Sequence, residues 1–262
     1  MLIITPIDMS HIQHISKLDT HPWKRCIALV DMNAFFCSIE QRDHPYLMGR
    51  AIGVTNGETG TCIITCSYEA RMHGIKTGTR LKEALKLCPH FIRVPARPER
   101  YAQVSTAIMK VLEDVTPDIE VFSVDEAFLD LTQCQKYWKL SARELGMLIK
   151  QKVFDASGLL CSVGISGDKT TAKWAAKKQK PNGLTVVPPW DSEATLAPEL
   201  VTELCGISKG IGRFLMDRGV THCGQMKSLP ISVLGQRFGN PGKRIWLMCQ
   251  GKDPDPIQQI VA

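Results

Sequence analysis

The chain has 262 residues, enough for two domains or three small ones around a substantial core. Hydrophobic residues make up 44% and charged residues 22%, which excludes a disordered, collagenous or coiled-coil chain. Lys and Arg total 32 against 26 Asp and Glu, a formal charge of +6 that permits a polyanionic partner without demanding one.

No run approaches the ~20 apolar residues of a membrane helix, so no membrane partner is expected. Residues 1–8 lack the basic n-region and long apolar h-region of a signal peptide. The ten cysteines are spread one or two to an element, without a CxxC pair or a His pair at zinc-finger spacing. They read as mostly buried thiols of a reducing cytosol.

Residues 1–24, with His11, His14 and His21, show no long period and read as a polar extension. Cys26–Val30 is a continuous apolar run ending in Asp31, the pattern of a central strand buried on both faces. A helix follows from Asn33 to Glu40. Residues 50–54 and 61–65 form two strands around the turn cluster 56–60. Short helices are expected over Tyr68–His73 and Leu81–Leu87, then a strand at 91–94 and an amphipathic helix over Tyr101–Leu112. Ile119–Leu131 reads as a hairpin with Asp125 and Glu126 near its tip. After it come a helix carrying Leu145, Ile149 and Val153, the strand Leu159–Ile165, a basic helix over Asp168–Lys180 and the strand Leu184–Val187. Pro188, Pro189 and Trp190 mark a boundary, and the remainder is helical with glycine punctuation. The class is α+β: a mixed, mainly antiparallel sheet with helices on one face, and an all-helical C-terminal part.

Asp31 and the pair Asp125-Glu126 interrupt apolar runs, where a charge is costly unless neutralised. No neighbour in sequence can neutralise them, whereas a hard divalent cation could. Two such ions ~3.5–4 Å apart serve in-line nucleotidyl transfer. Tyr68 and Arg71 are three apart and share one helix face, suited with Thr65 to an anionic group. Lys169, Lys173 and Lys177 form a basic stripe. Lys173 and Lys177 read as a solvated face, and Lys169 as an anion-binding residue at a helix start. No GxxxxGK[ST] occurs, so P-loop chemistry is excluded.

The segments Asp31–Glu40, Ser67–Arg71, Ser123–Asp130 and Gly164–Ser166, extended by Lys169 and Lys180–Gly183, together resemble the Y-family (translesion, DinB/UmuC-type) DNA polymerases across about residues 25–260. The resemblance implies a template-directed DNA polymerase that adds deoxynucleotides to a primer 3′-hydroxyl with two Mg²⁺ ions, Mn²⁺ being an alternative. Asp31, Asp125 and Glu126 would be catalytic and metal-binding, with the Met32 carbonyl a further ligand. Phe35, Phe36, Thr65, Tyr68, Arg71 and Lys169 would hold the dNTP, with Phe36 the steric gate against a ribose 2′-hydroxyl. The implied shape is a palm (25–38 and 97–187), fingers (39–96) and a thumb (188–262). In the thumb, Leu204–Gly212 resembles a helix-hairpin-helix, whose Gly206, Ile207, Gly210 and Gly212 would meet DNA phosphates.

Primer-template DNA is the implied partner and the cytoplasm, beside the nucleoid in a bacterium, the implied location. The family's little finger domain has no counterpart after Ile257, which reads as a catalytic core and leaves sliding-clamp binding to that further region. A non-catalytic DNA-binding scaffold and a nucleotide cyclase on a related palm are the readings from other classes. Primer extension separates them.

Overall fold

The computed structural model describes residues 22–259. The first elements are β1 (Ile27–Met32), α1 (Phe35–Asp43), β2 (Ile52–Thr55), β3 (Ile63–Cys66), α2 (Tyr68–Met72), α3 (Leu81–Leu87) and β4 (Ile92–Pro95). The chain continues with α4 (Pro98–Glu113), β5 (Ile119–Val121), β6 (Glu126–Asp130), α5 (Cys134–Trp138), α6 (Ala142–Ser157), β7 (Cys161–Ser166), α7 (Lys169–Lys178) and β8 (Leu184–Val186). It closes with α8 (Ser192–Leu196), α9 (Lys209–Met216) and α10 (Ile231–Met248), the last bent at Gly239.

The larger sheet has the order β5-β6-β1-β7-β8. Strand β1 is antiparallel to β6 and to β7, pairing Ile27 with both Asp130 and Ser166, and β8 joins β7 in parallel. Every residue of β1 is buried. Because successive side chains alternate across a strand, a continuous apolar run serves a strand covered on both faces. Ala28 and Val30 pack with Ile108 and Leu112 of α4 and with Leu145 and Ile149 of α6. On the opposite face Ile27 and Leu29 pack with Phe128 and with Ala172 and Ala176 of α7. The α+β class therefore stands, with α4 and α6 on one face of the sheet. Helix α7 covers part of the second face, which the one-sided arrangement expected from sequence had left open.

Helix α7 approaches the sheet closely. A Cβ on Gly164 of β7 would lie 2.1 Å from the Ala172 carbonyl oxygen and 2.3 Å from the Ala176 nitrogen. Small residues on both sides permit this backbone contact. Helix α6 begins with a capping box, Ser141 and Glu144, and ends at Gly158 with φ 66°.

A smaller sheet, β3-β2-β4, pairs β2 antiparallel to β3 and parallel to β4. Its own core includes Ile63, Cys66, Ala70, Ile75, Ala84, Cys88 and Phe91. The C-terminal helices bury a third cluster with Leu204, Ile207, Leu215, Val220, Leu234 and Ile245, joined by Trp174 and Val187. After α10 the chain returns to the large sheet, where Asp253 accepts from Arg244 and from Thr170 Oγ1 (2.6 Å).

His11, His14 and His21 lie outside the described residues. Trp23, from the expected polar extension, is buried, its amide donating to Gln135 Oε1 (3.1 Å) and its ring edge-on to Trp190. No disulfide joins the described residues. Eight cysteines are buried, and Cys62 and Cys205 are exposed. Among the described residues no helix is long and apolar enough to cross a membrane.

Gly164→Ala forces α7 off the sheet backbone and is expected to lower stability by about 3 kcal/mol, the scale of an overpacked core. Chemical denaturation measures this, and an unchanged midpoint would disprove the close-approach role.

Candidate active site

Asp31 is the penultimate residue of β1 and only 5% exposed. Its cross-strand partner is Glu126, the first residue of β6. This register puts two carboxylates directly opposite each other, a destabilising pair without a cation. The preceding loop is hooked onto the end of β1. Met32 N donates to Asp125 O (2.9 Å), and Phe122 N and Ser123 N both donate to Glu126 O (3.0 and 3.1 Å). Ser123 Oγ donates to Asp125 Oδ1 (2.6 Å). Asp31, Met32, Asp125 and Glu126 are thereby gathered at one end of the large sheet.

Burial pushes the Asp31 carboxyl up to about 6, Lys180 acting against the rise and Glu126 adding to it. Lys180 forms an ion pair with Asp31, and Lys173 one with Glu126. Lys173 is 7% exposed and its ammonium lies 4.2 Å from the centre of the Phe122 ring. Lys180 stands just past α7 in a pinned loop. Lys150 Nζ donates to Asn182 Oδ1 (2.7 Å) and Gly183 O (3.2 Å), and Gly183 N donates to Ser162 Oγ (3.2 Å). Ser162 is the residue of β7 paired with Asp31. Burial holds the Lys150 ammonium below its usual pKa.

Tyr68 opens α2 directly after Ser67, whose Oγ caps the helix by accepting from Ala70 N (3.3 Å). The Tyr68 hydroxyl is buried with no hydrogen-bond partner among the described residues. Burial raises its pKa against the pull of Arg71, and the Asp31 charge adds to the rise. The Arg71 guanidinium lies 4.5 Å over the Tyr68 ring and is exposed. Asn33 Nδ2 is a second buried orphan, although Asn33 Oδ1 accepts from Ser162 Oγ (2.9 Å). Buried polar atoms without partners are costly in a finished core but suited to a site that a ligand completes.

Phe36 stacks on Tyr101 with ring centres 4.2 Å apart and planes 13° from parallel. The Tyr101 hydroxyl donates to Glu40 Oε1 (2.7 Å), and Arg97 holds the same fully buried carboxylate. Burial and this hydrogen bond to Glu40 push the Tyr101 phenol well above its usual range. Phe35 points into the main core. Thr65 is on β3, paired with Val54.

Lys169 is not brought to the carboxylates. Its ammonium is held by Glu120 of β5 (2.7 Å to both oxygens) and lies 5.0 Å from the Phe128 ring centre. Lys173, expected on a solvated face, is buried, because α7 lays the first two lysines of that stripe against the sheet, whereas Lys177 is exposed as expected. Lys173 and Lys180 are the cations at the carboxylates, and the sequence reading had assigned neither a role. The available signal was the trio Ala172, Ala175 and Ala176, which marks α7 as tightly packed, with Lys180 just past its end.

In the C-terminal helices Gly206 (φ 91°) and Gly210 are exposed, and Ile207 is buried as their anchor. Gly212 instead faces Thr202, whose methyl would lie 2.6 Å from an added Cβ. A side chain there would have to displace that methyl.

An all-oxygen donor set, two of its carboxylates already paired with ammonium groups, fits a hard divalent cation. The model of the impB/mucB/samB family matches residues 30–177. DNA polymerase IV of Shewanella woodyi is 38% identical over 89% of this chain and 64% of that protein. DNA polymerase IV of Moorella thermoacetica is 37% identical over 88% of this chain and 58% of that protein. The crystal structure of DinB from Sulfolobus solfataricus superposes with a TM-score of 0.78 at 30% identity, covering 89% of this chain and 69% of that one. The chain thus spans about three fifths of the length of these curated relatives. With Asp31, Asp125 and Glu126 all inside the matched span, it belongs to the impB/mucB/samB family, the Y-family polymerases of the DinB/UmuC type.

Proposed function

We propose that this chain is the catalytic part of a template-directed DNA polymerase that works by two-metal nucleotidyl transfer and serves translesion synthesis. The observation that carries the reading is the pairing of buried Asp31 with partly buried Glu126 across the strands, with Asp125 hooked beside them. Mg²⁺ bound there would lower the pKa of a primer 3′-hydroxyl and balance charge in the in-line transition state. Asp31, Asp125 and Glu126 would hold the ions, with Met32 presenting its carbonyl.

The protein's own groups do the rest. Tyr68 would donate its orphaned hydroxyl to a phosphate oxygen, and exposed Arg71 would swing onto the same group. Lys180, relieved of Asp31 once that carboxylate binds an ion, is the nearest ammonium for the triphosphate, in place of Lys169. Phe36, fixed from behind by Tyr101, would block a 2′-hydroxyl. The large sheet with α4, α6 and α7 would be the palm (25–38 and 97–187), the smaller sheet the fingers (39–96) and the C-terminal helices the thumb (188–262). Gly206 and Gly210 would let DNA phosphates approach the thumb backbone. A soluble cytoplasmic setting and primer-template DNA as partner follow from this reading.

Asp125→Ala and Glu126→Ala are expected to cut dNTP incorporation in primer extension about a thousandfold or more, the scale of several kcal/mol of lost transition-state stabilisation, with circular dichroism unchanged. Near-normal extension by either variant would refute the assignment. Phe36→Ala should lower the preference for dNTP over rNTP by at least about tenfold. An unaltered ratio would remove the gate.

The raised pKa of Asp31 sets the sign of a pH effect on stability. The folded state holds this proton more tightly than the unfolded chain. Its stabilising contribution is therefore complete below about pH 4 and lost as pH rises through about 6. A bound divalent ion favours the ionised form instead. The gain in melting temperature on adding Mg²⁺ should therefore be full above about pH 7 and fade below about pH 5. An equal gain at both ends would contradict this.

A further inference from the structure

The smaller sheet carries a second cluster of metal-ligating side chains, remote in kind from the carboxylates. A ring nitrogen of His73, the Cys88 Sγ and a ring nitrogen of His90 all lie within 4.8 Å of one another. His73 and His90 are exposed and Cys88 is fully buried, so the group opens to water on its histidine side. Among the described residues neither imidazole nor the thiol has a hydrogen-bond or ion-pair partner. We propose that His73, Cys88 and His90 form a binding site for a borderline divalent cation of the zinc class, with water in the fourth position.

The backbone presents these groups from two firmly built turns. Helix α2 ends at His73, whose amide donates to Ala70 O (3.1 Å). Gly74 takes a left-handed φ of 81°, and Ile75 N returns to Ala70 O (3.3 Å). On the other side Cys88 closes α3, and Phe91 N donates back to Cys88 O (2.9 Å). This is a four-residue turn with Pro89 in the position whose fixed φ such turns favour. The turn brings His90 back beside Cys88, giving a Cys-Pro-His hook that faces the end of α2. No conventional zinc spacing exists in the sequence, because the third ligand comes from another helix.

The ring geometry also fits. The two imidazoles stand at 84° with centres 5.5 Å apart. On a tetrahedral ion with metal–nitrogen bonds of about 2 Å, two ring centres fall about 5 Å apart. Small rotations of the exposed imidazoles close the remaining distance. One thiolate and two imidazoles select zinc-like ions over Mg²⁺, which prefers oxygen. On binding, the Cys88 thiol gives one proton to solvent as its sulfur–metal bond forms, and each histidine binds through a neutral nitrogen. The ion would tie the end of α2, the helix that carries Tyr68 and Arg71, to the end of α3. The proposal does not depend on the polymerase reading.

Cobalt(II) titration of the metal-free full chain tests it. The expected result is a single Co²⁺ per chain showing a near-ultraviolet thiolate-to-cobalt charge-transfer band, which Zn²⁺ abolishes by displacement. Cobalt taken up by the carboxylates gives no such band. Cys88→Ser should lose the band, while His73→Ala and His90→Ala should each weaken binding by at least about tenfold. Both histidines are exposed, so these variants test the site even if the Cys88 variant fails to fold. At a fixed Zn²⁺ concentration the melting temperature of the parent chain should rise more than that of His73→Ala. Absence of the band from the parent, or its full retention in both histidine variants through Cys62 or Cys205, would overturn the proposal.

Discussion

Asp31 and Glu126 face each other across the β1–β6 ladder, and most of the surrounding structure answers to that confrontation. Like charges in a partly dry site are unstable alone, and here each has its own ammonium, Lys180 on one and Lys173 on the other. Both lysines depend on α7 or the loop behind it. The helix holds its place through backbone contact at Gly164, and the loop is pinned by Lys150. The electrostatics of the site is thus built into the second, tightly packed face of the sheet.

A parallel arrangement fixes the aromatic wall. Glu40 is fully buried, yet it receives Arg97 and the Tyr101 hydroxyl, and neighbouring Asp43 gathers Arg42, Arg97 and Arg100. These arginines hold the Asp43 carboxyl far below its usual range, the Arg100 hydrogen bond contributing most. The network rivets α1 to α4. Because Phe36 projects from α1 and Tyr101 from α4, their stacked rings inherit that rigidity. Replacing a buried ion network of this kind by apolar residues can preserve stability, so its retention here is better explained by positioning than by strength.

Much of this was legible in residue order. The uninterrupted run before Asp31 announced a strand covered twice, and the alternation around Asp125 and Glu126 announced the hairpin that carries them. Tyr68 and Arg71 are helix neighbours and remain together in space. The lysines were harder. Lys169, Lys173 and Lys177 share a spacing that suits a solvated stripe, and only the packing of α7 decides that Lys169 meets Glu120 and Lys173 meets Glu126. Lys180 reaches Asp31 because a loop turns back, which no period records. His73 and Cys88 were invisible for the same reason, since their proximity is a property of two helix ends.

The place of β1 in the chain has a further consequence, for the order in which the protein folds. This strand comes first yet occupies the middle of its sheet, and its partners are Asp130 on one side and Ser166 on the other. Its hydrogen bonds on one side need the chain through β6 and on the other the chain through β7, long loop closures that are intrinsically slow. The smaller sheet draws β2, β3 and β4 from one contiguous stretch and has its own core. It can form early, as an island between the two halves of a sheet not yet joined. The carboxylates meet only through the long-range β1–β6 pairing, and the lysines that answer them lie later still in the chain, in α7 and just past it.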